Sequence, residues 1–419
     1  MMTTRGDHYD WTEPAERLIF ARWFLGISFL ATLALTYPIF TAADRSFPLI
    51  PLVPALSVSS SPFDVVVLVV LFGVAALFSI APSPQPISLF LGLVALLVLQ
   101  DQNRLQSWLL FYALMLGAYI PLLRKGARQW SPEQTLGLLQ GITWATCFWS
   151  GVQKLNPEYF TVMVPGIAEA LAHEITALEI PLTWCLSLIP VCEVVGALLL
   201  LPRATRSYGV AILVAANITM LIAAGPIGIT WHRCGWPWLM ALAFLTPRLF
   251  WRSQASASHF LKPPGAISKT VFWTSCLILP LLGFFSRWDL YLSFGLFSGR
   301  AASGSALVEQ SAFNQLPKVV RKASERTSTE GYYRIHLQHW SELETGAPPS
   351  AQGAVLRLDA QKLCSFVAPE EPLVVGIEHP SRIPWVGSNT LERLSCENSL
   401  LLPMPEKEQL PDGSATKIP

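Results

Sequence analysis

A single lysine, Lys154, closes a long apolar stretch in Phe148-Trp149-Ser150-Gly151-Val152-Gln153-Lys154-Leu155-Asn156-Pro157, and no Lys or Arg follows it until Arg203. Glu158, Glu169, Glu174 and Glu179 fall in that interval. An ammonium at such a place either snorkels to water with its stem along apolar surface or is held in a semi-apolar pocket. Desolvation favours the neutral form of an amine, and a neutral amine is a general base. Pro157 stops a helix soon after, which puts Lys154 at the lip of the bundle that helix joins.

Glu193 lies inside another apolar run, Pro190-Val191-Cys192-Glu193-Val194-Val195-Gly196. A carboxylate facing lipid there is prohibitive, so it faces protein, where it pairs, is protonated or hydrogen-bonds a neighbouring helix. As a functional group it orients Lys154 or relays a proton. His232 and Arg233, in Thr230-Trp231-His232-Arg233-Cys234-Gly235-Trp236, end a further run among tryptophans of the kind that mark a membrane interface. They read as a headgroup contact or as part of a site. In Asp101-Gln102-Asn103-Arg104, Asn103 is placed to cap the helix that follows and Arg104 to pair with Asp101. Lys154, Glu193 and His232 are therefore the candidate catalytic residues, and Asp101, Arg104 and Arg233 the candidate binding residues. His232 and Cys234 lack a second cluster to complete a metal set. No phosphate loop, nucleophile elbow or dinucleotide fingerprint occurs.

Composition says what kind of element holds these residues. The 419-residue chain is 52% hydrophobic and 14% charged, with 15 Trp and a mean hydropathy of +0.43, which is membrane-protein chemistry. A net charge of +1 without basic clusters excludes nucleic acid as partner. Asp7, Asp10, Glu13 and Glu16 interrupt the amino-terminal region, and the run 18–40 is too long for a cleaved signal, so it reads as a retained first span. Further apolar runs at 63–81, 87–100, 105–123, 136–152, 183–201, 208–230, 236–250 and 271–286 bring the expected count to nine, or eight if a short one does not cross. The third and eighth are short enough to be tilted or re-entrant.

With the amino end inside, Arg5, Arg17, Arg124, Lys125, Arg128, Arg203, Arg206, Arg248, Arg252, Lys262 and Lys269 gather on the inner side. Only Arg45, Arg104 and Arg233 fall in outer loops, the bias expected of a cytoplasmic amino terminus. The expected fold is an all-α polytopic bundle over 18–297, behind a cytoplasmic segment 1–17. Lys154, Asp101, Arg104, His232 and Arg233 then share the outer side, as an outward-opening site requires.

Charges return near Arg300, and 298–402 reads as a small β-leaning extracytoplasmic domain. Gly331 to Trp340 shows partial alternation, and Ala354 to Leu358 and Leu373 to Ile377 are short apolar runs bounded by Pro and Gly, as strands are. The stretch 403–419 is polar and reads as disordered. Of seven cysteines the tail holds Cys364 and Cys396, which in an oxidising compartment are a candidate disulfide.

The segment Trp149-Ser150-Gly151-Val152-Gln153-Lys154-Leu155-Asn156 resembles the Gly-Val-Lys-Lys-Leu-Asp segment of the vitamin K-dependent γ-carboxylase and the related HTTM and DoxX-like bacterial membrane proteins. The resemblance implies that Lys154 is the base that deprotonates a reduced quinone, with Gln153 replacing the first lysine. It implies that His232 matches a histidine opening a late helix, and that Glu193 falls where an acidic residue is frequent. The carboxylase histidine near the start of its fourth helix has no counterpart in Asp101-Gln102-Asn103-Arg104, and the tail is far shorter than the animal enzyme's. The implied location is a bacterial inner membrane, and the implied cofactor a reduced naphthoquinone. The alternative is a non-catalytic DoxX-like component that supports a redox or maturation partner in the membrane or periplasm. A transporter is disfavoured, because no inverted repeat is visible.

Overall fold

The computed structural model describes residues 13–41, 45–56, 61–126, 129–172, 179–226, 232–368, 371, 373–397 and 400–403. Its first part is helical: α1 (Pro14–Phe40), α2 (Ser61–Ile80), α3 (Pro84–Gln100), α4 (Ser107–Gly117), α5 (Ile120–Leu123) and α6 (Pro132–Lys154). A π turn, Tyr159–Met163, leads into α7 (Val164–Ala172), followed by α8 (Glu179–Leu199), α9 (Arg206–Ala224), α10 (Gly235–Phe250) and α11 (Ala257–Leu261). A second π turn, Thr274–Ile278, joins α12 (Ala266–Trp273) to α13 (Leu279–Phe284). Among the described residues five helices are long and apolar enough to cross a membrane: Pro14–Phe40, Phe63–Ile80, Glu179–Leu199, Arg206–Ala224 and Ala266–Phe284. The remaining four apolar runs form α3, α4 with α5, α6 and α10, which are shorter or more polar. The end of the seventh run, Thr230, and most of the segment 1–17 lie outside the described residues.

Helix α6 is the hub. Its start is fixed by a capping box, in which Ser131 Oγ accepts from Gln134 N and Gln134 Oε1 accepts from Ser131 N. It packs on α1, α8, α10, α11 and α4, so it is buried on nearly every side. Its side chains answer carbonyls of its neighbours: Gln140 Nε2 donates to Leu249 O at 2.7 Å, Trp144 Nε1 to Ala197 O at 3.0 Å, and Trp149 Nε1 to Cys276 O at 2.8 Å. Arginines perform the same task at helix ends, where the last carbonyls lack helical partners. Arg17 donates to Leu249 O in the last turn of α10 and to Trp251 O just after it, Arg206 to Leu200 O and Leu201 O after α8, and Arg104 to Ile39 O in α1.

The second part is an α+β domain: β1 (Ser303–Glu309), α14 (Gln310–Gln315), α15 (Lys318–Lys322), β2 (Ser324–Arg326), β3 (Tyr332–His336), α16 (Leu337–Thr345), α17 (Gly353–Cys364), β4 (Leu373–His379), β5 (Thr390–Glu397) and β6 (Leu400–Pro403). The strands form one antiparallel sheet in the order β2-β3-β1-β4-β5-β6, with Ala306 opposite Ile335 and Val375, and Val375 opposite Leu394. Those residues face a core completed by Trp340, Leu356 and Leu363. Cys364, at the end of α17, is disulfide-bonded to Cys396 in β5, with Cα atoms 5.7 Å apart.

Two strand expectations are corrected. Ala354 to Leu358 lies in α17, because Val355, Leu356, Ala360 and Leu363 form one buried helical face; a five-residue apolar run cannot distinguish strand from helix by itself. Gly331 to Trp340 is strand only as far as His336 and then turns into α16. Leu373 to Ile377 is in β4. Pro403 closes β6, while 404–419 lies outside the described residues.

The domain sits on one end of the bundle. Gly346, after α16, has φ +75°, and a Cβ there would lie 2.6 Å from Leu35 O of α1; its own carbonyl accepts from Cys234 N. Gly346→Ala is expected to lower stability by at least about 1–2 kcal/mol from left-handed backbone strain alone, read as a drop in the thermal unfolding midpoint.

Candidate functional site

Lys154 occupies the last turn of α6 and Glu193 the middle of α8. Lys154 Nζ lies 2.8 Å from Glu193 Oε1, 2.7 Å from Oε2 and 2.6 Å from Ser150 Oγ, one turn back on α6. Lys154 is 2% exposed and Glu193 3%. The helices come this close because residue 151 is glycine: a Cβ there would meet Glu193 Cβ and Pro190 O, each at 2.8 Å. Pro190 also lacks an N–H, which leaves Leu186 O without its helical donor. Tyr159 Oη supplies one at 3.0 Å. Pro190 and Glu193 thus tie α8 to the π turn and to α6 respectively.

The turn after Lys154 is closed from the other domain. Asn156 Nδ2 donates to Gln153 O at 2.6 Å and to Ser298 O at 2.9 Å, and Asn156 Oδ1 accepts from Tyr159 N. Trp385, on the loop between β4 and β5, donates from Nε1 to Leu155 O at 3.0 Å. Removing both charges from water costs several kcal/mol per ion, and apolar residues of similar volume would pack with comparable stability. What the pair offers chemically is proton transfer: moving one proton from Nζ to Glu193 leaves a neutral acid and a neutral amine.

The other sequence candidates lie toward the same end, where Asp101 and Arg104 fasten the bundle's own loops while Asn103 and His232 contact the domain. Asp101 accepts from Arg45 Nη2 at 2.8 Å and from the backbone of Ile50 and Asn103, with Arg104 Nε at 3.8 Å. Asn103 does not cap α4. It donates from Nδ2 to Asp359 Oδ1 at 3.2 Å and accepts from Ser350 N at 2.8 Å. The reason is the short 3-10 turn at Gln102–Arg104, which Asp101 caps instead. His232, with φ +48°, places Nδ1 2.7 Å from Glu342 Oε1 of α16 and so does not join the Lys154–Glu193 pair. Arg233 is exposed. No group of three or more His, Cys, Asp or Glu suited to a metal occurs among the described residues.

Sequence reasoning missed the domain's half of this interface. Glu344 accepts from Ser46 N, Ser46 Oγ, Phe47 N and Trp340 Nε1. Asp289 accepts from Leu292 N and Gln352 Nε2, and Asp359 meets Asn103 from inside α17. Glu344 and Asp359 stand in the more polar tail and Asp289 just ahead of it, where a lone carboxylate carries no signal. Where the domain meets the bundle, a cavity of about 730 Å3 is lined in part by Trp288, Asp289, Arg300, His379, Arg382 and Ile383. Lys154 does not line it.

No family model, no curated protein and no solved structure matches this chain.

Burial pushes the carboxyl of Asp359 well above its ordinary range; Asn103 opposes the shift, Asp101 reinforces it and Arg45 opposes it. An unfolded aspartate ionises near pH 4, whereas the folded one keeps its proton to higher pH. Its stabilising contribution is therefore complete below the unfolded value and is lost as pH rises through the folded one. Asp359→Asn is expected to flatten that decline, seen by thermal melts across the pH range. At the ion pair, Glu193→Leu alone is expected to cost about 3–5 kcal/mol by leaving a buried charge, while Lys154→Met with Glu193→Leu recovers most of it. Denaturant unfolding of the three proteins measures both.

Proposed function

We propose that the protein is a multi-pass membrane enzyme of the γ-carboxylase-like group, with its amino end cytoplasmic and its α+β domain outside the bacterial inner membrane. In this reading α3, α4 with α5, α6 and α10 are further crossings, which makes eight or nine. The observation that carries it is the buried contact of Lys154 with Glu193. After proton transfer within the pair, the neutral Nζ takes the hydroxyl proton of a lipid-soluble hydroquinone. The products are a quinol anion and an ammonium, while Glu193 holds the first proton until it is released. Ser150 and Glu193 hold Nζ in place, which is the pre-organisation general-base catalysis needs. Trp385, 63% exposed, is the part of the cover over this end of α6 that faces outward, held by its bond to Leu155 O.

The 2% exposure of Lys154 favours a second reading, a non-catalytic DoxX-like component. There the pair only fastens α6 to α8, and the outer domain docks a redox or maturation partner. Membranes carrying the wild type or Lys154→Met, supplied with reduced naphthoquinone, oxygen and labelled bicarbonate, separate the two. Label entering a glutamate-rich peptide, or oxidation of the naphthoquinone, is expected to fall by about a hundredfold or more in the variant, with equal amounts of folded protein on gel filtration. Turnover that survives the substitution, or a folded wild type without turnover, assigns the structural reading.

A further inference from the structure

At the end of the bundle remote from the α+β domain lies a second cleft, about 900 Å3 in volume. Helix α6 has 23 residues, so its two ends are roughly 35 Å apart, and this cleft belongs to the end where α6 begins. Its walls are apolar: Leu114 and Ile120 from α4 and α5, Leu138 and Ile142 from α6, Val271 and Phe272 from α12. Its mouth is polar, with Arg124, Gln129 and Gln134.

The cleft exists because the span containing α12 stands away from the bundle. Of the five membrane-length helices that span is the least buried, at 22%, and Ile267 of α12, itself a lining residue of the cleft, is 82% exposed. The break between α4 and α5 at Ala118–Tyr119 lies on the opposite wall, which Gly117 and Ala118 line. In a bilayer such a gap is open to acyl chains, and its apolar walls give water no partners.

The charges at the mouth select the headgroup. Arg124 lines the cleft and Lys125 follows it, both exposed; Lys262 and Lys269, also exposed, flank the lining segment Gly265–Ser268. The nearby exposed acid in sequence is Glu133. A cation at the mouth of apolar walls, with further exposed lysines close in sequence to the lining segments, favours anionic over zwitterionic lipid.

From this geometry we infer that the cleft between α4–α6 and α12 binds an anionic phospholipid, one acyl chain between the helices and the phosphate at Arg124. The site rests on the bundle lying in a bilayer and not on the chemistry at Lys154. Full-length protein stripped of lipid in detergent is titrated with phosphatidylglycerol or phosphatidylcholine, while thermal stability and bound lipid by native mass spectrometry are followed.

Phosphatidylglycerol is expected to bind and to raise the melting midpoint more than phosphatidylcholine does. Arg124→Gln should weaken that binding by about tenfold, the order of one charge-assisted hydrogen bond. Ala266→Trp, a substitution at an exposed lining residue, should block it while leaving the lipid-free melting midpoint unchanged. Equal response to the two lipids overturns the headgroup assignment, and a phosphatidylglycerol preference that survives both substitutions overturns the location. Failure of quinone turnover leaves this measurement unaffected, so the two readings stand or fall separately.

Discussion

A polar group inside an apolar bundle must find a partner within the protein, and this one requirement organises the whole molecule. An unpaired backbone carbonyl in such surroundings costs free energy comparable to a lost hydrogen bond. The chain therefore places donors where helices end or break: Arg17 at α10, Arg206 at α8, Arg104 at α1, Gln140 and Trp149 along α6, and Tyr159 at the carbonyl freed by Pro190. Helix α6 is consequently more polar than a lipid-facing span, because its environment is protein on nearly every side. The same requirement, applied to charge, brings Lys154 and Glu193 together.

That ion pair and the domain interface are mechanically linked. The turn that follows Lys154 is held by Ser298 and by Trp385, both beyond the bundle, and α1 meets α16 at Gly346. Asp101, Asn103 and His232 face the same end and are consumed by contacts with Arg45, Asp359 and Glu342. The α+β domain thus covers polar residues that, in the sequence, look like an open site. Two buried carboxyls at this interface, Asp359 and Asp289, are both pushed upward by burial, so the contribution of each to folding stability is larger below its unfolded value and falls as pH rises.

The two ends of the bundle differ in kind. Toward the domain, Lys154, Glu193, Asp101 and Arg104 are paired and covered. At the opposite end a cleft is left between α6 and α12, with cations at its mouth and apolar walls behind them. Gly151 lets α6 and α8 touch, whereas the span containing α12 is the least buried of the five membrane-length helices.

Apolar run length and charge were enough, from the sequence, to find nine apolar runs that fold as helices, to single out Lys154 at the end of one of them, and to mark Glu193 as a residue that cannot face lipid. Those properties are local, since hydrophobic length and the cost of a buried charge depend on few neighbours. The strand at Leu373 to Ile377 was legible for the same reason. The partners were not legible. That Glu193 meets Lys154 depends on how α6 and α8 cross, that Asn103 reaches Asp359 depends on contacts across 256 positions, and that Ala354 to Leu358 is helix depends on the sheet it covers. The tertiary structure alone decided these, because pairing energy belongs to distances between elements, and sequence spacing does not encode such distances.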